Sequence, residues 1–116
     1  MKSKFGERVG KKPSCVKVAR DVADFIACLQ KDDYLRQIIN NGLDVLEENM
    51  FAGQLIEKKK FPKLYIQRYG INNLYKYNLD RATRLIYTLV ADKLGIAVVV
   101  LEILNHKEYE KRFGYK

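Results

Sequence analysis

The stretch that decides the fold runs from Arg84 to Leu104 and reads RLIYTLVADKLGIAVVVLEIL. Residues 84–90 are nearly all apolar, which is typical of a central strand, and we expect helices to cover it on one face. Residues 91–95 include Asp, Lys and Gly and favour a tight turn, after which residues 96–104 form a second apolar strand. The segment therefore predicts a β-hairpin at the centre of a sheet.

Other β-forming segments lie on the N-terminal side of this hairpin. Residues 74–79 predict a strand that precedes it, and residues 80–83 predict the turn between them. Leu64–Ile66 is a further β-forming segment, and Cys15–Val18 alternates apolar with polar residues as a short first strand does. The sequence thus predicts three or four consecutive strands after residue 54.

Two amphipathic helices are predicted between the first strand and the later ones. The first begins at Asp21, which occupies the N-cap position, and the second extends from about Asp32, through Gly42, to about Asn49. A short connection favours an antiparallel pair. The apolar positions at helical spacing are Val22, Phe25, Ile26 and Leu29 in the first helix and Leu35, Ile38, Ile39, Leu43 and Leu46 in the second.

This order of elements predicts the α+β class, with an N-terminal helical hairpin packed on a twisted, mainly antiparallel sheet of 3–5 strands. Residues 1–13 carry five basic residues and one acidic residue, with two Gly and one Pro, and predict a flexible basic arm. Residues 14–116 then form a single domain. The domain has enough apolar residues for a core, since 47% of the chain is hydrophobic.

Composition and motifs exclude several classes of function. The chain has 22 Lys and Arg against 14 Asp and Glu, a net charge of +8 that favours a polyanionic partner. Two cysteines without a CxxC pattern and one histidine make a zinc site very hard to build. The motifs GxSxG, GxGxxG and GxxxxGK[ST] are absent. The longest apolar run is far below the ~20 residues of a membrane span, and no secretory signal is recognisable, so we expect a cytoplasmic protein.

Several segments in this order resemble the RelE/ParE superfamily of toxins from type II toxin–antitoxin systems. The resemblance covers roughly residues 15–115. Asn49–Gly53 is similar to the family's NPxxG helix exit, with Met50 where Pro is usual. The chain also departs from the family at Asn78, where several ribonuclease members carry a lysine. The strand segments that carry the resemblance are Leu74–Leu79, Arg84–Tyr87 and Ile103–Tyr109.

The resemblance implies metal-independent cleavage of mRNA by attack of a 2′-hydroxyl on the adjacent phosphodiester. Such a reaction needs cations on the phosphorane-like transition state and a group that transfers protons. Four residues match the catalytic positions: Lys76, Arg84, His106 and Tyr109. Each also has a structural interpretation: an exposed strand face for Lys76, an ion pair with Asp80 or Glu102 for Arg84, a surface hydrogen bond for His106, and a cap on the core for Tyr109.

Basic residues interleaved with aromatic ones suggest an RNA-binding surface. An alternative interpretation of residues 58–69 is a solvated strand whose aromatic side chains Phe61, Tyr65 and Tyr69 face the core. Arg112 and Tyr115 fall in a predicted C-terminal tail. The candidate RNA-binding residues are Lys58, Lys59, Lys60, Lys63, Arg68, Arg81, Lys107, Arg112 and Tyr115.

Together with the net charge of +8, the resemblance therefore implies a toxin that is a metal-independent endoribonuclease acting on mRNA at the ribosome, without a cofactor. Its expected partners are a cognate antitoxin, mRNA and the ribosome, with a homodimer left open and no membrane. Two alternatives stay open: a ParE-like inhibitor of DNA gyrase without nuclease activity, and a non-enzymatic module that binds RNA or the ribosome.

Overall fold

A computed structural model of the chain describes residues 11–114; residues 1–10 of the predicted basic arm and Tyr115 lie outside this range. The described part contains five strands, four α-helices and one short 3₁₀ helix, Lys58–Lys60. The strands are β1 (Cys15–Val18), β2 (Gln54–Leu55), β3 (Tyr75–Asn78), β4 (Thr83–Asp92) and β5 (Gly95–Asn105), and the helices are α1 (Arg20–Ala27), α2 (Tyr34–Glu48), α3 (Lys63–Tyr69) and α4 (His106–Phe113).

All five strands form one mixed sheet in the order β1-β5-β4-β3-β2. Three neighbouring pairs are antiparallel, whereas β1 runs parallel to β5, with Cys15 opposite Ala97 and Val18 opposite Val100. A parallel pair needs a long connection between its strands, and here almost the whole domain separates the two. The predicted α+β class is confirmed, and the sheet is mixed.

The β4–β5 hairpin lies at the centre of this sheet, as the sequence predicts. Asp92 pairs with Gly95, and the Leu94 N–H donates to Asp92 Oδ1 at 2.9 Å across the turn. The register shifts between Ile86 and Tyr87, which pair with Glu102 and Val100. Leu101 is therefore the extra residue of a β-bulge, which changes the alternation of side chains along β5.

Both faces of the sheet are covered, whereas the sequence predicted helices on one face only. The first face packs against α1 and α2, and the second face packs against α3 and α4. This double burial explains why β4 is nearly all apolar. The buried cluster on the first face contains Val22, Leu46, Met50, Leu85, Tyr87, Val98 and Val100. That on the second face contains Ile56, Tyr65, Leu74, Ile86, Leu101, Leu104 and Tyr109.

Three local predictions are wrong. Leu64–Ile66 is part of helix α3, which starts after Pro62 and ends at Gly70 in the left-handed conformation (φ 60°). Phe61, Tyr65 and Tyr69 are spaced by four residues, and this helical spacing outweighs their β propensity. The predicted C-terminal tail is instead helix α4 up to Phe113. Asp21 is not an N-cap, because α1 begins at Arg20 after Ala19.

Candidate nucleic-acid site

Three of the four candidate catalytic residues meet on the second face of the sheet. Lys76 lies opposite Ile86 in the β3–β4 pairing, and Arg84 lies two residues before Ile86 on β4. Helix α4 brings the ring of Tyr109 against both side chains. Lys76 Nζ lies 5.2 Å from the ring centroid and Arg84 Cζ lies 5.8 Å from it, both within the range of a cation–π interaction.

No carboxylate of the described residues neutralises either cation of this pair. Within residues 11–114, no Asp or Glu oxygen lies within ion-pair distance of Lys76 or Arg84. The Arg84 guanidinium donates to two backbone carbonyls instead, that of Arg81 at 3.0 Å and that of Asp80 at 3.4 Å. Two half-buried positive charges beside one ring attract an anion. A guanidinium can also donate two parallel hydrogen bonds to phosphate oxygens.

The alternative interpretation of Arg84, an ion pair with Asp80 or Glu102, is therefore wrong. The Asp80 carboxylate accepts from the Tyr34 hydroxyl at 2.9 Å and from the Ala82 N–H at 2.9 Å. These bonds hold the pKa of Asp80 below its ordinary value, the backbone bond from Ala82 contributing most. The carboxylate of Glu102 is bound by other side chains of the second face.

A hollow of about 260 Å³ adjoins the cation pair at the β2 edge of the sheet. Lys60 lines it together with Lys76 and Tyr109, so one predicted RNA-binding lysine lies beside two predicted catalytic residues. Lys60 Nζ lies 3.6 Å from Glu57 Oε1, an exposed pair of small energetic value. Lys60 is thus a third cation, partly neutralised by Glu57, next to the Lys76–Arg84 pair.

Tyr109 is buried, with 4% of its surface exposed, and this matches the interpretation of the ring as a cap on the core. Its ring stacks on Phe113 with centroids 4.5 Å apart, while Lys76 and Arg84 approach it as described. A ring engaged in this way has little surface left for stacking on a base. Its evident effect on the site is to position the two cations.

His106 lies at the start of α4, one turn before Tyr109. Its imidazole Nε2 is 3.0 Å from Glu110 Oε2, and 60% of its side chain is exposed. Asn105 caps the helix, accepting from the Glu108 N–H, while Glu108 accepts from the Asn105 N–H. His106 therefore stands on the solvent side of the helix that carries Tyr109, with Glu110 as its partner.

Two of the remaining candidate RNA-binding residues, Arg68 and Arg112, are bound to carboxylates. Arg68 donates to Asp21 at 2.9 Å beside a separate cavity of about 220 Å³ between α1, α3 and β5. This bond raises the pKa of Arg68. Arg112 is bound to Glu102. Five other candidates are exposed and make no ion pair with a carboxylate in the part of the chain that the structure describes: Lys58, Lys59, Lys63, Arg81 and Lys107.

Sequence reasoning missed one polar cluster on the second face, formed by Tyr65, Glu102 and Arg112. Arg112 donates to both carboxylate oxygens of Glu102 at 2.8 Å, and the Tyr65 hydroxyl also donates to Glu102. Burial and the bond to Glu102 raise the pKa of Tyr65 far above its ordinary value. The available signal was Glu102 itself, a single carboxylate within an apolar strand.

Comparisons of the chain with protein-family models, with curated proteins and with solved structures give no match. Among the described residues, no helix is long and apolar enough to cross a membrane. Over the same range, no three His, Cys, Asp or Glu side chains are placed to hold a metal ion together.

Proposed function

We propose that the chain is the toxin of a type II toxin–antitoxin system and cleaves mRNA at the ribosome as a metal-independent endoribonuclease. The observation that carries the proposal is the Lys76–Arg84 pair, which is half-buried beside Tyr109 and has no carboxylate partner within residues 11–114. A phosphodiester is the anion that best fits two such cations on a chain of net charge +8.

The proposed reaction uses only groups of the RNA and of the protein. A 2′-hydroxyl attacks the adjacent phosphorus and gives its proton to the imidazole of His106, and the bond from phosphorus to the 5′-oxygen breaks as that oxygen takes a proton from the imidazolium, which gives a 2′,3′-cyclic phosphate and a 5′-hydroxyl. Arg84 and Lys76 stabilise the charge on the phosphorane-like transition state. His106 transfers a proton at this site, with Glu110 orienting its imidazole.

The order of elements supports the same proposal. Two helices precede the β2–β5 part of the sheet, an order similar to that of RelE-like toxins, and the candidate residues follow within β3, at the start of β4 and in α4. We accordingly propose a cognate antitoxin, mRNA and the ribosome as partners in the cytoplasm. Asn78, in place of a lysine, leaves Lys76 and Arg84 as the two strand cations.

The test is mapping of 5′ ends on a reporter mRNA translated in a cell-free system with the purified protein. We expect discrete breaks within codons, with their yield reduced on the order of 100-fold in Arg84→Ala and in His106→Ala. Arg20→Ala, which removes an exposed arginine from α1 on the first face of the sheet, serves as the matched control and retains cleavage. Intact mRNA with the wild-type protein would contradict the proposal.

A non-enzymatic RNA-binding module is the second candidate. The bond between His106 and Glu110 favours it, because an imidazole engaged on the helix surface leaves the cation pair without an evident proton-transfer group. This candidate predicts that RNA stays intact while binding weakens steeply with salt. Binding without cleavage would select the module, and inhibition of gyrase supercoiling without RNA binding would reject both candidates.

A further inference from the structure

Glu102 owes its position to the β-bulge in β5. Without the bulge, Leu101 and Glu102 would point to opposite faces of the sheet, since side chains alternate along a strand. The extra residue at Leu101 breaks this alternation. Leu101 packs in the second-face cluster, and Glu102 lies opposite Ile86 of the same cluster, so a carboxylate is placed beneath α3 and α4.

The carboxylate of Glu102 joins three elements. Arg112 of α4 donates from Nε to one carboxylate oxygen and from a terminal nitrogen to the other, both at 2.8 Å. The hydroxyl of Tyr65, a fully buried residue of α3, donates to the oxygen that also receives the Nε bond. A bidentate Arg–carboxylate pair fixes an orientation as well as a distance, which a single lysine bond cannot do.

Helix α4 transmits this orientation to the candidate site. Tyr109 lies three residues before Arg112, on the adjacent turn, and its ring stacks on Phe113. Phe113 in turn meets the Tyr65 ring edge-on, with centroids 6.1 Å apart. The bond at Glu102 and the aromatic contacts of Tyr65 therefore hold the same end of α4, while the other end carries His106 and the capping box.

We infer that Glu102 is a positioning residue, which fixes the rotation of α4 over the sheet and thereby sets the Tyr109 ring against Lys76 and Arg84. The expected effect of Glu102 on cleavage rests on the proposed function. Glu102 itself does not contact RNA. Misplacement of catalytic groups by a fraction of an ångström to an ångström lowers turnover while leaving attraction for the polyanion largely intact.

The test compares wild type with Glu102→Gln, which keeps the size of the side chain and removes its charge. On ribosome-bound reporter mRNA, we expect the maximal cleavage rate to fall on the order of tenfold, with the half-saturating protein concentration changed less than twofold. Amide hydrogen exchange in residues 106–113 should accelerate, while exchange in α2 stays unchanged. Glu48→Gln is the matched control. It removes a carboxylate from α2, where Glu48 forms an exposed ion pair with Lys12.

Tyr65→Phe is the second variant and retains the Glu102–Arg112 bond while deleting one donor. We expect Tyr65→Phe to lower the maximal cleavage rate less than Glu102→Gln does, again with little change in the half-saturating protein concentration. If Glu102→Gln does not fold, Tyr65→Phe alone tests the inference. Unchanged cleavage and unchanged exchange in α4 would overturn the inference while the proposed function stands. A wild-type protein without cleavage activity would instead refute the proposed function. Amide exchange in residues 106–113, compared between wild type and the two variants, would then be the test of whether Glu102 anchors α4.

Discussion

Tyr87 joins the central strand to the loop that follows α2. Its side chain is fully buried, its hydroxyl donates to the Met50 carbonyl at 2.7 Å, and it accepts from the Gly53 N–H at 3.0 Å. A Cβ on Gly53 would lie 2.8 Å from the Lys76 carbonyl oxygen, so this loop passes too close to β3 for a larger residue. The contacts of Tyr87 thus hold the backbone beside Lys76 in place.

We expect Tyr87→Phe to lower the free energy of unfolding by about 1–2 kcal/mol, because the Met50 carbonyl and the Gly53 N–H lose a buried partner. Urea denaturation at pH 7 measures this change. Val90→Ala, at a half-exposed position of the same strand, is the control and should cost less. Equal losses in the two variants would argue against the hydroxyl as the stabilising group.

The same residue makes stability depend on pH in the alkaline range. Burial raises the pKa of Tyr87 to about 12 from an ordinary value of 10.0, so the folded state holds the phenolic proton more tightly than the unfolded chain does. The resulting stability is fully present below pH 10 and is lost as the pH rises towards 12. Wild type should therefore lose more stability between these pH values than Tyr87→Phe; parallel pH profiles would contradict this.

The residues of the candidate site were partly predictable, because strand alternation and the resemblance together singled out Lys76, Arg84 and Tyr109. The partners of these residues were not. Glu102 lies on the same face of the sheet as Arg112 because a bulge at Leu101 changes the face to which its side chain points. A one-residue irregularity of this kind depends on tertiary packing and leaves no periodic signal in the sequence.

Helix α4 is short, and its first turn depends on the capping box of Asn105 and Glu108. Both reciprocal hydrogen bonds are 2.8 Å long. We expect Asn105→Ala to lower the free energy of unfolding by about 1 kcal/mol and to accelerate amide exchange at residues 106–109, since the first-turn N–H groups lose an acceptor. Exchange in α3 should not change.

Asn40→Ala provides the control for this cap. Asn40 is exposed in the interior of α2, where alanine has the higher helix propensity, so stability should stay equal or rise slightly. If Asn105→Ala left both stability and exchange at the start of α4 unchanged, the capping box would not be what holds the turn that carries His106 and Tyr109.

Long helices and strands were predicted from the sequence more accurately than short ones. The β4–β5 hairpin and helix α2 span many residues, and their periodic patterns gave the correct type of structure with nearly the correct bounds. Helix α3 has seven residues, too few for its helical spacing to stand out against three β-forming residues in a row, Leu64–Ile66. The capping box at Asn105 was present in the sequence and marked the start of α4.

At the scale of the whole molecule, the acidic residues of α2 and the cations of the candidate site lie on opposite faces of the sheet. The first face is covered by α1 and α2, and α2 carries the exposed acidic residues Asp44, Glu47 and Glu48. The second face carries Lys76 and Arg84, with Lys60 beside them. A chain of net charge +8 with this distribution should attract a polyanion towards the second face.

The salt dependence of RNA binding tests this distribution directly. Each phosphate neutralised on a single strand contributes about 0.7 to the slope of log K against log salt, so the double variant Lys76→Ala/Arg84→Ala should reduce that slope by about 1.4. Fluorescence anisotropy with a labelled single-stranded RNA over a series of KCl concentrations measures it. The control Arg20→Ala/Lys31→Ala removes the same charge from exposed positions and should leave the slope close to that of wild type, because neither residue lies on the second face. Equal reductions in the two double variants would mean that RNA responds to net charge alone and that the Lys76–Arg84 pair is not a phosphate site.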